Sequence, residues 1–233
     1  MTKLSGIVFA VGACLIVAAP AAAVVVFDDH FDGNTGGVPV GWFGIGDGSA
    51  VEAGTVVTLN DEFIIVTEAD VDPDQTGATV LTTMIVGTTH HTHGGLIDFA
   101  QQDSHFWIKL WAADGRLEVK ASNVVDGEQE LDVGYVAGYS GGAIELTLVL
   151  EAATFTVSTD APAYSSGPIA YADVFPSFTR ADLGHATRLV LENECPVPEP
   201  PCWSSYDRLT MWVQEATPVE AVDWGTIKAL YRR

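Results

Sequence analysis

The chain has 233 residues, of which 31 are acidic and 10 are basic, so its formal net charge is −21. A surface this acidic repels nucleic acid and anionic lipid headgroups, which argues against both as partners. The length suits one large domain with a well-buried core and is short for two. Beyond the N-terminal leader there is no run of about 18 apolar residues, so we predict no transmembrane segment in the mature chain.

The N-terminus has the features of an export signal. Lys3 precedes an uncharged apolar run, and small residues lie before a possible cut after Ala23. We therefore predict a signal peptide, residues 1–23, and a secreted or cell-surface protein. A lipoprotein signal cut before Cys14 is the alternative. It is disfavoured because the residues after Cys14 stay apolar, where a tethered protein usually continues with a polar linker.

Residues 24–213 consist of short apolar, β-branched runs separated by Gly, Asn and Asp. This spacing predicts an all-β antiparallel sandwich, and the lack of helices between the runs excludes βαβ units. In Ala143–Glu151 every second residue is aliphatic, as in a half-buried strand. One helical turn, Arg180–Leu183, is expected to end at Gly184. The predicted strands are Val24–Asp28, Gly54–Leu59, Glu62–Thr67, Ala78–Val86, Leu96–Ala100, His105–Ala112, Arg116–Ala121, Leu131–Ala137, Ala143–Glu151, Thr154–Ser158, Thr187–Glu192 and Tyr206–Val213.

The two cysteines of the predicted mature chain, Cys195 and Cys202, bracket a Pro-rich loop. Export would place them in an oxidising compartment, which favours a disulfide. A zinc site is disfavoured because two thiols without a nearby histidine do not complete a ligand set.

The run from His105 to Trp111 alternates between two faces. Its Phe and aliphatic residues are expected to point to the core, which leaves four residues on the other face: His105, Trp107, Lys109 and Trp111. Asp114-Gly115 predicts a two-residue hairpin that pairs Ala113 with Arg116 and places Lys109 opposite Lys120.

Tryptophan rings can stack on sugar rings, and lysines can bond hydroxyl, uronate or sulfate groups. We therefore predict a carbohydrate-binding site for a polysaccharide or glycan made of His105, Trp107, Lys109, Trp111 and Lys120. The alternative is that loops or the second sheet cover these tryptophans, in which case they are structural.

Three segments carry a resemblance to a known superfamily. They are Phe27–Gly33, with Trp42 shortly after it, the strand–turn–strand stretch Gly94–Ala121, and Ser204–Val213. Together they resemble the concanavalin A-like lectin/glucanase superfamily in its laminin-G-like branch. The resemblance implies a jelly-roll antiparallel β-sandwich over Val24 to Val213, and it says little about activity.

The chain departs from the glucanases of that superfamily in one respect. Those enzymes carry a Glu-x-Asp-x-(x)-Glu cluster on one strand, and we find no such strand here. Glu192-Asn193-Glu194 and Glu68-Ala69-Asp70 are interpreted as solvated loop acids. This departure favours a non-catalytic module.

Two groups of residues are candidate metal sites. Asp29 and Asp32 lie in one short turn, and Asp207 joins them if the first and last strands pair; calcium prefers such oxygen donors, and sandwiches of this superfamily often hold a structural calcium. His90, His91 and His93 could bind zinc or copper. Their segment, Thr88–Gly95, is interpreted instead as a polar connecting loop, with His30 and His105 near only if the fold brings them there.

The C-terminal end differs from the body. Residues 214–222 form a predicted acidic linker, and residues 223–233 are an aromatic and basic tail. The tail resembles sorting or surface-attachment signals of exported bacterial proteins, and the alternative is a flexible end that docks Trp224 on the body.

These observations predict an exported, lectin-like carbohydrate-binding module without catalytic activity. Two alternatives stay open: a structural or adhesive surface protein with no small ligand, and a glycoside hydrolase whose carboxylates are dispersed over several strands.

Overall fold

A computed structural model describes residues 23–71, 77–101, 104–184, 186–195 and 201–214. The predicted signal peptide, apart from Ala23, lies outside the described residues, as do the linker, apart from Gln214, and the tail. Within these ranges, no helix has the length and apolar character needed to cross a membrane.

The strands form two antiparallel sheets, which confirms the predicted β-sandwich. Sheet A contains β1 (Ala23–Asp29), β3 (Ser49–Ala53), β4 (Val56–Asn60), β6 (Ala78–Thr88), β11 (Ile144–Leu150), β12 (Thr154–Thr159), β13 (Tyr164–Ser165), β14 (Ile169–Ala170) and β16 (Trp203–Gln214). Sheet B contains β2 (Trp42–Gly46), β5 (Phe63–Thr67), β7 (His91–Asp98), β8 (Ser104–Trp111), β9 (Arg116–Asn123), β10 (Gly127–Tyr135) and β15 (Thr187–Glu194). The order in sheet B is β10-β9-β8-β7-β15-β5-β2. Helix α1 (Tyr171–Val174) and two 3₁₀ turns, Phe99–Gln101 and Arg180–Leu183, complete the described part.

One hydrophobic core lies between the sheets. Phe106 of β8 and Phe155 of β12 meet across it with ring centroids 5.1 Å apart. Phe178 and Tyr171 extend this aromatic cluster on the loop side. Because rings from both sheets pack edge to face, the cluster fixes how the two layers sit on each other.

Several local predictions are confirmed. The even-numbered aliphatic residues of β11 are buried, as the alternation requires. Arg180–Leu183 forms a 3₁₀ turn that ends at Gly184. The first and last described strands, β1 and β16, pair antiparallel.

The predicted register of the β8–β9 hairpin is wrong by two residues. Lys109 lies opposite Glu118, and Lys120 lies opposite Trp107, so the two lysines are not a facing pair. The connection is a four-residue loop, residues 112–115, because the Ala112 N–H donates to the His90 carbonyl oxygen and leaves the β8–β9 ladder. A shift of two preserves the faces, so the assignment of core and outer sides remains correct.

Two predicted loops are strands. His91 and His93 belong to β7, not to a polar connection, and both side chains are buried. Glu192 and Glu194 belong to β15 and are not loop acids; the Glu192 side chain is only 10% exposed, whereas that of Glu194 is 37% exposed. The predicted strands Leu96–Ala100 and Thr187–Glu192 therefore cover only part of β7 and β15, because polar residues on the outer face hide the strand pattern of the remaining residues.

Cys195 and Cys202 form the predicted disulfide, with Cα atoms 6.1 Å apart. It ties the end of β15 to the start of β16.

Candidate functional site

The outer face of sheet B is its side away from the core, and it carries the predicted glycan-binding residues. His105, Trp107, Lys109 and Trp111 all lie there, as the alternation predicts. They are not freely exposed, since His105 is 8% and Lys109 5% accessible. Neighbouring side chains on this face cover them, not the second sheet.

Positive charge is concentrated on this face. Within the described residues, sheet B carries four of the six arginines and lysines: Lys109, Arg116, Lys120 and Arg188. Each lies within 4 Å of a carboxylate. In so acidic a chain, this gathering of ion pairs makes the outer face of sheet B chemically distinct from the remaining surface.

Trp111 is held by its neighbours. Its ring centroid lies 4.6 Å from Lys109 Nζ, 4.5 Å from Arg116 Cζ and 4.4 Å from the His91 ring centroid. Its indole N–H donates to Glu118 Oε2 over 2.7 Å. These contacts cover much of the indole ring. Trp111 therefore packs between the charged side chains of Lys109, Arg116 and Glu118 on the outer face of sheet B.

Trp107 has a different environment. It lies opposite Gly95 of β7, and a Cβ at Gly95 would come within 2.7 Å of the indole Cδ1. The His105 ring stacks on Trp107 with centroids 4.3 Å apart. The buried indole N–H has no hydrogen-bond acceptor within the described residues.

Trp107 borders a hollow of about 330 Å³ on the outer face of sheet B, which we call the sheet B hollow. Its apolar lining comes from β2, β5, β7, β15 and the Phe99 turn, and its polar side chains lie at one side. The lining residues are Ile45, Ile64, Val66, Ile97, Phe99, His105, Trp107, Ser122, Glu128 and Val190. An apolar surface with a few polar groups suits a small organic ligand such as a sugar.

Lys120 is not part of the lining of the hollow but lies next to its polar side, opposite Trp107 and beside Glu128. Its Nζ lies 3.0 Å from Glu130 Oε1 and 3.3 Å from Glu128 Oε1. Although burial acts in the opposite direction, the hydrogen bond to Glu130 and the two carboxylate charges raise the pKa of Lys120. The same hydrogen bond lowers the pKa of Glu130. Lys120 therefore carries its charge in a partly buried position.

A histidine–glutamate cluster lies at the other end of the face. His91 Nε2 and His93 Nε2 are 3.0 and 3.4 Å from the same oxygen, Glu194 Oε2. His93 Nδ1 is 2.7 Å from Glu192 Oε2. Burial lowers the pKa of His91 to about 4. The hydrogen bond with His91, together with the charge of Lys109, holds the pKa of Glu194 well below its usual range.

The predicted calcium ligands do not converge. Asp29 accepts hydrogen bonds on both oxygens, from the Phe31 N–H and from Trp42 Nε1–H, each over 2.8 Å. Asp32 is exposed, and these residues do not form a group of neighbouring ligand atoms with Asp207 within the described part of the chain. The three predicted ligands are therefore not gathered around one point, and calcium binding stays a prediction from the sequence.

A second hollow, of about 360 Å³, lies on the outer face of sheet A. Asp207 and Arg208 line it, together with the part-exposed Trp212. Arg208 is paired with Asp28 through two hydrogen bonds of 2.9 and 3.0 Å. This hollow offers one tryptophan and mainly polar walls, so it is a weaker platform for sugar stacking.

Layer arrangement and strand order identify the fold as the concanavalin A-like jelly roll found in glucanases. An endo-1,3-β-glucanase from Streptomyces sioyaensis matches with a TM-score of 0.59 and 11% identity, over 85% of this chain and 99% of that chain. A laminarinase catalytic domain from Thermotoga petrophila matches with a TM-score of 0.60 and 8% identity, over 84% and 100%.

An immunostimulatory antigen and pseudo β-1,3-glucanase of Mycobacterium tuberculosis also matches, with a TM-score of 0.55 and 14% identity, over 82% of this chain and 99% of that chain. No family model and no curated protein matches the sequence. At such low identity the likeness defines the fold and leaves the activity to be argued from the residues of this chain.

Proposed function

We propose that this is an exported protein that binds a polysaccharide in the sheet B hollow, with Trp107 as the central stacking residue. The observation that carries this function is the position of Trp107, half-buried between His105 and the apolar lining of the hollow. A flat ring beside apolar walls offers the nonpolar face of a sugar a surface to bury.

Polar groups around the ring supply the directional contacts that a sugar needs. His105, Ser122 and Glu128 line the hollow beside Trp107. The indole N–H would gain an acceptor from a ligand hydroxyl, and a buried donor without an acceptor costs about 1 to 3 kcal/mol. Lys120, opposite Trp107, adds a positive charge at the rim.

The solved structures with this fold suggest the first ligands to test. They include an endo-1,3-β-glucanase, a laminarinase and a pseudo β-1,3-glucanase. We therefore propose a β-1,3-glucan as the first probe, followed by acidic and sulfated polysaccharides that could use Lys120.

Affinity electrophoresis in gels containing laminarin, with a panel of other polysaccharides, tests the binding site. Trp107→Ala should abolish retardation, or weaken affinity by at least about tenfold, which corresponds to 1.4 kcal/mol. Trp212→Ala is the matched control, because it removes the same side chain from the outer face of sheet A. Loss of binding in Trp212→Ala alone would move the site to sheet A and overturn the proposal.

A glycoside hydrolase is the second candidate, favoured by one observation. Glu118, Glu192 and Glu194 share the outer face of sheet B with Trp107. A retaining mechanism needs a pair of carboxyl groups about 5 to 5.5 Å apart. Release of reducing ends from a bound polysaccharide, lost in Glu194→Gln, would establish hydrolysis; binding without release supports a non-catalytic module.

A further inference from the structure

The histidine–glutamate cluster brings three metal-binding side chains together. Ligand atoms of His91, His93 and Glu194 all lie within 4.8 Å of one another, and among the described residues this is the one such group of His, Cys, Asp or Glu. The two histidines come from β7 two residues apart, so they share one face. Glu194 reaches them from the neighbouring strand β15, where it is paired with His91.

The spacing of these atoms suits a tetrahedral metal ion. Ligands about 2.0 to 2.1 Å from zinc lie roughly 3.3 Å from each other in a tetrahedron. Glu194 Oε2 is 3.0 Å from His91 Nε2 and 3.4 Å from His93 Nε2. Small rotations of the side chains would therefore place all three around one ion.

Hydrogen bonding prepares His93 to act as a ligand. Its Nδ1 lies 2.7 Å from Glu192 Oε2, and a carboxylate in this position accepts the Nδ1 proton. The proton on Nδ1 leaves Nε2 with a lone pair directed at Glu194. A carboxylate that orients a histidine in this way is a recurrent partner of zinc-bound imidazole.

Both histidines are buried, so few other groups can reach their ring nitrogens as hydrogen-bond partners. The side chains of His91 and His93 are 3% and 1% exposed, and the ring nitrogens His91 Nδ1 and His93 Nε2 have no hydrogen-bond partner within the described part of the chain. His91 Nε2 is hydrogen-bonded to Glu194, whereas His93 Nε2 faces the same carboxylate oxygen over 3.4 Å without a hydrogen bond. The lone pair of His93 Nε2 and the carboxylate repel each other unless a proton or a cation lies between them.

We propose that His91, His93 and Glu194 bind a divalent transition-metal ion, with Zn²⁺ as the ion that two imidazoles and one carboxylate fit best. Glu192 is the positioning residue for His93. Three protein ligands leave a fourth position on the outer face for water or a ligand group. The proposal does not depend on glycan binding in the sheet B hollow, since His91, His93 and Glu194 do not line that hollow.

Lys109 gives the site a distinctive property. Its Nζ lies 3.4 Å from Glu194 Oε2, so the ammonium group already pairs with the carboxylate that would bind the metal ion. A metal ion must compete with that charge. Lys109→Met should therefore bind Zn²⁺ more tightly than the original protein, whereas a purely structural cluster would not respond in this way.

Isothermal titration calorimetry with ZnCl₂ tests the assignment, using protein purified without a polyhistidine tag, treated with EDTA and measured in excess Mg²⁺. We expect one Zn²⁺ per chain. His91→Ala and His93→Ala should abolish this binding, and Glu192→Gln should weaken it by about 10 to 100-fold. His30→Ala is the matched control, because His30 is an exposed histidine outside sheet B and should bind Zn²⁺ unchanged.

X-ray absorption on the zinc-loaded original protein keeps the assignment testable if the histidine variants fail to fold. Two imidazole nitrogens and oxygen ligands at about 2.0 to 2.1 Å are expected. A shell of oxygens alone, the absence of one-to-one binding, or binding that persists in folded His91→Ala would overturn the assignment.

Discussion

Gly95 of β7 lies directly opposite Trp107 of β8, and the indole ring covers the glycine where any other residue would carry its side chain. A Cβ at residue 95 would sit 2.4 Å from the Phe106 carbonyl oxygen and 2.7 Å from Trp107 Cα. Both contacts are closer than packed atoms allow. The glycine therefore lets the backbones of β7 and β8 approach closely and leaves room for the indole ring of Trp107, which lines the hollow.

Gly95→Ala should displace Trp107 and weaken glycan binding. Overpacking at such a site costs about 1 to 3 kcal/mol of stability, so the variant should still fold. Affinity electrophoresis and urea unfolding measure the two effects. Gly142→Ala is the control, because a Cβ there meets nothing within 4 Å and both properties should stay unchanged. Full binding by folded Gly95→Ala would show that the placement of Trp107 is not required.

Phe106→Ala tests the sandwich itself. Phe106 is fully buried and contacts Phe155 of sheet A across the core, so its removal should lower the free energy of unfolding by about 3 to 5 kcal/mol. Phe99→Ala, at a position 39% exposed, should cost much less. Equal effects in a urea titration would contradict the assigned core.

The faces of β8 could be predicted from sequence because alternation depends only on the pleat of the strand. The register with β9 could not, because it depends on where the turn begins. The Ala112 N–H donates to the carbonyl oxygen of His90, which lies in the connection between β6 and β7, and this lengthens the loop to four residues. Local turn signals such as Asp114-Gly115 do not contain that information.

The candidate site was only partly predictable for a similar reason. His105 and Trp107 lie on one strand and could be found from its pattern, whereas the predicted Lys109 does not line the hollow. Phe99 and the aliphatic walls of the hollow come from distant segments that only the strand order of sheet B brings together. Glu194 was missed because it precedes a Pro-rich loop, although an alternating Glu-x-Glu next to predicted β residues was a usable signal.

The disulfide should stabilise the end of β15. Joining Cys195 to Cys202 closes a short loop and so lowers the entropy of the unfolded chain, which should stabilise the folded protein by roughly 2 to 3 kcal/mol. The double variant Cys195→Ala, Cys202→Ala should therefore unfold at lower urea concentration. Dithiothreitol should shift the unfolding midpoint of the original protein to that of the double variant and leave the double variant unaffected. A shift in both proteins would show that dithiothreitol does not act through this disulfide.

Acid should weaken the Lys120–Glu130 pair. The hydrogen bond to Lys120 lowers the pKa of Glu130 below 4.5 in the folded protein. The stabilisation by the pair is therefore complete above pH 4.5 and is lost as the pH falls through the folded pKa. In a carbon-detected NMR titration, Lys120→Met should raise the pKa of Glu130 toward 4.5. An identical titration curve in both proteins would contradict the pairing.

Calcium should have no specific effect on stability, because the Asp29 carboxylate is already hydrogen-bonded within the protein. Its two oxygens accept hydrogen bonds from Phe31 and from the buried Trp42, so Asp29→Ala leaves both donors without partners. That loss should cost about 1 to 3 kcal/mol with or without calcium. Asp32→Ala, at an exposed position, is the control and should unfold like the original protein. A melting temperature that rises with calcium, falls with EGTA and loses this response in Asp29→Ala would instead establish the calcium site that the sequence predicts.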